Sequence, residues 1–107
     1  MKNKTIDLAT YCSKDIKLLA GRDNGIEMRE KIKLKENEDD MEIENIIIDV
    51  PKYIKTITSS YILGLVGAYI EEHGEYEFRK KYTFNCNSVT KNNIEMAIQY
   101  VITNKGV

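Results

Sequence analysis

The sequence predicts a single α/β domain, a small mixed β-sheet with helices packed mainly on one face. Three observations carry this. A saturated β-branched run, Ile46-Ile47-Ile48, stands mid-chain. Two apolar stripes of helical period follow, one on either side of an aromatic alternation. The segments run strand, helix, strand, helix, strand, helix, an order that favours a sheet with crossover helices. At 107 residues there is room for one core, and the 42% hydrophobic and 31% charged composition is that of a globular domain.

Residues 4–10 alternate weakly and predict a first strand at a sheet edge. Residues 11–19 fit either a short helix or irregular chain. Gly21 and Gly25 bracket a turn or a loose helix start. Residues 26–34 follow as an amphipathic helix with Ile26, Met28 and Ile32 as its apolar positions. Residues 35–40, KENEDD, carry no apolar side chain and read as a solvated loop. They also lack the ligand spacing and central glycine of a calcium loop.

Residues 41–50 are the strongest strand. Their β-branched triplet predicts burial on both faces, as at a sheet centre. Pro51 ends the strand, because proline cannot donate to a ladder. Residues 60–72 are the strongest helix, with Ile62, Leu65, Val66, Tyr69 and Ile70 on one face. Gly64 and Gly67 cost helix propensity, which predicts a close approach of this helix to the sheet. Gly74 is its expected stop. Residues 76–85 predict a strand or short hairpin. Ser88 or Thr90 starts a last helix with the stripe Ile94, Ala97, Ile98, Val101, Ile102, and Gly106 follows its end.

The net charge of −1 gives no global attraction to nucleic acid or anionic membrane. Arg79-Lys80-Lys81 is the one compact basic cluster, read as solvated. The first ten residues contain no apolar stretch of signal-peptide length, so a cytoplasmic location is expected. Cys12 and Cys86 lack CxxC spacing and read as reduced structural thiols. His73, at an apparent helix end, suits the dipole there. No cofactor or metal is expected.

The informative segment is residues 46–66, where a buried strand ending in Asp49 hands over to a helix opened by Thr58-Ser59-Ser60. Hydroxyls at a helix start can cap it, bind an anion or accept a phosphoryl group. The sequence contains no Walker loop, dinucleotide glycine signature, HExxH or GxSxG. A Ser59–His73–Asp49 triad fails on distance: fourteen helical residues separate Ser59 from His73, roughly 20 Å. The chain is therefore not expected to be an enzyme.

This segment resembles the STAS domain, the fold of anti-sigma-factor antagonists. There a strand ending in Asp leads through a short loop to Asp-Ser-Ser-Gly at a helix start. Here Thr58-Ser59-Ser60-Tyr61 lies over that motif, with Thr58 in place of the acid and Tyr61 in place of the glycine. More specifically, the chain is similar to the STAS-like family of bacterial domains of unknown function. Arg22 and Arg29 match its Arg-containing first helix, and residues 74–84 match its Gly-x-x-x-Phe and strand. The resemblance spans residues 20–102. It implies a STAS-like regulatory module that binds a protein partner, with a histidine-kinase-like ATPase as that partner. It also implies Ser59 as the phosphorylated serine whose modification switches binding off. The expected partner surface comprises Asp49, Thr58, Ser59, Ser60, Tyr61, Arg22 and Arg29.

Two other readings stay open on the sequence. One is a binding protein of inhibitory or structural kind, borne by a phage or mobile element and independent of phosphorylation. The other is an anion- or nucleotide-binding domain that uses the helix N-terminus. An exposed patch of Tyr53, Tyr61 and Tyr69 would favour a homodimer or a partner.

Overall fold

A computed structural model describes residues 2–105, with side chains through residue 104. Two parallel sheets form its frame. Strands β1 (Lys2–Asp7), β3 (Ile43–Asp49) and β5 (Tyr82–Asn85) make a three-stranded sheet in the order β1-β3-β5. Strands β2 (Leu18–Leu19) and β4 (Thr56–Ile57) pair as a separate two-residue ribbon. Helices α1 (Arg22–Lys31), α2 (Leu34–Asp39), α3 (Ser59–Lys81) and α4 (Ser88–Lys105) connect and cover them.

Every pairing is parallel, so the expected mixed sheet is corrected. The reason lies in the connections. Strand β1 reaches β3 through α1 and α2, and β3 reaches β5 through α3, so the chain re-enters each time in the same direction. The strand or short hairpin expected over residues 76–85 is also corrected, because most of that stretch is helical. Gly74 adopts φ 88°, ψ 168° inside α3, a conformation that side-chain-bearing residues rarely take. It ends the first helical segment as expected. The chain then winds a second segment that carries Arg79, Lys80 and Lys81 in its last turn, and only Tyr82–Asn85 extends.

The central position of β3 is observed, but not burial on both of its faces. Ile46 and Ile48 are fully buried, while Ile47 between them is only partly covered. The register sets rows across the sheet: Ile6–Ile48–Phe84 on the core side, and Thr5–Ile47–Thr83 on the other, where both threonines are exposed. A β-branched run thus marks the sheet centre without implying two covered faces.

Residues 35–40 form no solvated loop. Leu34–Asp39 is a helix whose Leu34 and Glu38, four apart, share its inward face. Lys33, in the left-handed region at φ 58°, turns the chain from α1 into it. The buried residues of α3 include all five expected positions, whereas Ile102 on α4 is exposed. The expected end at Gly106 lies outside the described residues.

The glycines pack differently from expectation. A Cβ on Gly25 would stand 2.1 Å from the Tyr61 carbonyl oxygen, and one on Gly64 2.0 Å from that of Arg22. The two glycines therefore let the backbones of α1 and α3 touch; Gly64 serves helix–helix contact rather than approach to the sheet. At Gly67 a Cβ would meet only the Leu63 side chain at ordinary distance, 3.6 Å.

Candidate functional site

The start of α3 is positioned by two neighbouring elements, α4 with its cap residue Asn87, and β2. Asn87 Nδ2 donates to the Lys55 carbonyl (2.9 Å) and Asn93 Nδ2 to that of Ile57 (2.9 Å). The Ile57 N–H donates to the buried Thr90 Oγ1 (3.2 Å), and the Thr58 N–H to the Leu19 carbonyl (2.9 Å). Asparagines and a threonine from α4, together with β2, thus fix the approach to the helix. Helix α4 starts at Ser88, one of the two expected starts, and Asn87 caps it: its Oδ1 accepts the Thr90 N–H at 2.9 Å.

Thr58 is the N-cap of α3. Its Oγ1 accepts the Tyr61 N–H (3.2 Å), and its carbonyl accepts the Ile62 N–H (3.0 Å). Ser59 and Ser60 therefore occupy the first helical turn, where backbone amides have no intrahelical acceptor and the dipole is positive. Ser59 is half-buried and Ser60 exposed.

Both serines line a groove of about 300 Å³ together with Arg22, Leu63, Met96 and Tyr100. Met96 and Tyr100 are 59% and 51% exposed. Among the described residues Arg22 has no ion-pair partner. The groove thus combines two modifiable hydroxyls, a free guanidinium, the positive end of a helix and two exposed apolar side chains.

The other expected site residues lie elsewhere. Asp49 ends β3 between Asp7 and Asn85, and its Oδ1 accepts from Asn85 Nδ2 at 2.6 Å. Tyr61 is only 2% exposed, so its side chain is removed from the expected partner surface. It falls on the inward stripe of α3 three residues after the cap, and burial pushes its hydroxyl pKa up. Tyr69 is likewise buried, and Tyr53 is partly covered with its hydroxyl donating to the Cys12 carbonyl, so the three tyrosines form no exposed patch.

Arg29 is committed internally. Its guanidinium, 14% exposed, makes a bidentate pair with Glu38, which is 4% exposed, and also donates to the Leu65 carbonyl at 2.9 Å. The Tyr82 hydroxyl donates to the same carboxylate. Burial opposes the charge on Arg29, but the hydrogen bonds and charge of Glu38 outweigh it and raise its pKa.

His73 stacks on Tyr69 with ring centroids 4.3 Å apart and places Nε2 3.4 Å from Glu72. Both cysteines are free thiols whose pKa values burial raises.

Met96 and Tyr100 were missed in the sequence reading. The signal was present: they lie four apart on α4 and outside its buried stripe of Ile94, Ala97, Ile98 and Val101. Large apolar residues off the core face of an amphipathic helix are surplus to packing. In comparisons with protein-family models, curated proteins and solved structures, none matched this chain.

Proposed function

We propose that this chain is a small STAS-like interaction module of regulatory type, and that its partner surface is the groove formed by Ser59, Ser60, Arg22, Leu63, Met96 and Tyr100. The single observation that carries the reading is the convergence of these residues at the start of α3. Interface centres are enriched in Tyr, Met and Arg and depleted in other charges, and this groove has that composition. The STAS resemblance supplies the partner class, a histidine-kinase-like ATPase, and the switch at Ser59. A phosphoryl group there would bring about two negative charges to the helix start. It would stand beside Arg22 and among the apolar side chains that a partner would cover.

Asp49 and Arg29 are left out of this surface because the structure engages them elsewhere. Thr58 contributes as the cap that sets the helix start.

Phosphorylation-independent binding uses the same groove and is distinguished by experiment. The chain is incubated with ATP and a histidine-kinase-like ATPase, then mapped by mass spectrometry. Modification at Ser59 that is lost in Ser59→Ala supports the switch. No modification at Ser59 after incubation with ATP, with binding through this groove retained, supports the phosphorylation-independent reading.

A further inference from the structure

A second and larger groove, about 710 Å³, runs between α1, α2 and the first segment of α3. Its apolar lining includes Ile26, Leu63 and Ala68. Ile26 is 43% exposed although α1 has a buried face available, occupied by Met28 and Gly25. The carboxylates of Glu30, Glu36 and Glu72 also line it. Of the cations that line it, Arg29 pairs with Glu38 and Lys35 lies 3.4 Å from Asp39, while Arg22, shared with the first groove, is one unpaired guanidinium against the carboxylates. Among the described residues Glu30 and Glu36 have no ion-pair partner, and Glu72 meets only His73. The unbalanced charge of the rim is therefore negative, above an apolar floor.

We propose that this groove docks a basic amphipathic helix of a protein partner. The apolar face of that helix would lie on Ile26, Leu63 and Ala68, and its Lys or Arg side chains would meet Glu30, Glu36 and Glu72. Helix-in-groove recognition places apolar anchors at i, i+3, i+4 and i+7 and leaves the flanking positions for charge. Opposite charge around such a groove sets partner choice and association rate more than raw affinity. The inference does not rest on phosphorylation of Ser59, and its test leaves the shared Arg22 and Leu63 untouched.

The probe is a fluorescein-labelled, helix-forming Leu/Lys amphipathic peptide, compared with a Leu/Glu peptide of the same apolar pattern by fluorescence anisotropy. The Leu/Lys peptide is expected to bind and the Leu/Glu peptide to bind at least about tenfold more weakly. Glu30→Lys with Glu36→Lys should weaken Leu/Lys binding about tenfold or more, as should Ile26→Ser. Glu42→Lys with Glu44→Lys makes the same change in net charge at the sheet and should change binding less than about twofold. Circular dichroism checks that each variant is folded. No binding of the Leu/Lys peptide overturns the proposal, as do equal binding of both peptides or an equal loss in the Glu42/Glu44 variant.

Discussion

At the scale of single residues, the least expected feature is the carboxylate of Glu38. It accepts two hydrogen bonds from Arg29 and one from Tyr82, and so ties α1, α2 and β5 together below the surface. Nothing in KENEDD announces this, because the partners lie nine and forty-four residues away. Removing one partner of a buried pair leaves an uncompensated charge. Glu38→Ala is expected to cost about 3–5 kcal/mol in urea unfolding. Replacing the whole network with Arg29→Met, Glu38→Leu and Tyr82→Phe should cost much less, since a buried pair and an apolar replacement are often near-equal in stability. Equal losses in the two variants would show that the network does not act as a unit.

Burial also sets the response to alkali. Burial holds the hydroxyl pKa values of Tyr61 and Tyr69 above the usual tyrosine range, and burial with the adjacent Glu38 charge does so for Tyr82. A raised acid pKa contributes stability that is fully present below the unfolded value, about 10, and lost as pH climbs beyond it. Thermal stability should therefore fall steadily above that pH. Tyrosinate absorbance from these three residues should appear only with unfolding. Their full ionisation in a still-folded chain would contradict the burial assigned to them.

At the scale of elements, the glycines separate by role. Gly64→Ala forces a Cβ against the Arg22 carbonyl and should destabilise by about 3 kcal/mol or more. Gly67→Ala meets only ordinary contact and should stabilise by about 0.5–1 kcal/mol through helix propensity. A chemical-denaturation series on both tests the helix crossing directly, because the sequence alone makes the two glycines look alike. Lys33 carries the reverse situation, a side chain at positive φ. Lys33→Gly should relieve about 1 kcal/mol of backbone strain, read as a raised unfolding midpoint.

Unlike the two-residue strands β2 and β4, which carry no such pattern, the central strand and the long helices were legible because period and β-branching encode them locally. Residues 41–50 and the stripe beginning at Ile62 show this. The helix at residues 34–39 and the second segment of α3 were not legible. The first depends on a buried ion pair with a distant residue. The second depends on Gly74 adopting a conformation that lets a new helical segment start where an aromatic alternation suggested extension. The site was legible to the same degree. The hydroxyl run at residues 58–60 and Arg22 could be named from sequence. Which of Arg22 and Arg29 faces outward, and the burial of Tyr61, depend on how α1 crosses α3.

At the scale of the molecule, the radius of gyration of 13.1 Å is that of one folded domain. No helix among the described residues is long and apolar enough to cross a membrane. The proposed function places activity in surface contacts, with the helix start of α3 held by its threonine cap and by the asparagines of α4. A charge placed at Ser59 therefore alters a surface held by these hydrogen bonds, rather than the fold beneath it. The most direct test is isothermal titration of the chain against a histidine-kinase-like ATPase, the partner class proposed above. The account predicts binding by the unmodified chain, with affinity reduced about tenfold or more by Ser59→Glu and by Tyr100→Asp, and unchanged by Ser88→Glu at the start of α4. Undiminished binding by both Ser59→Glu and Tyr100→Asp would contradict it.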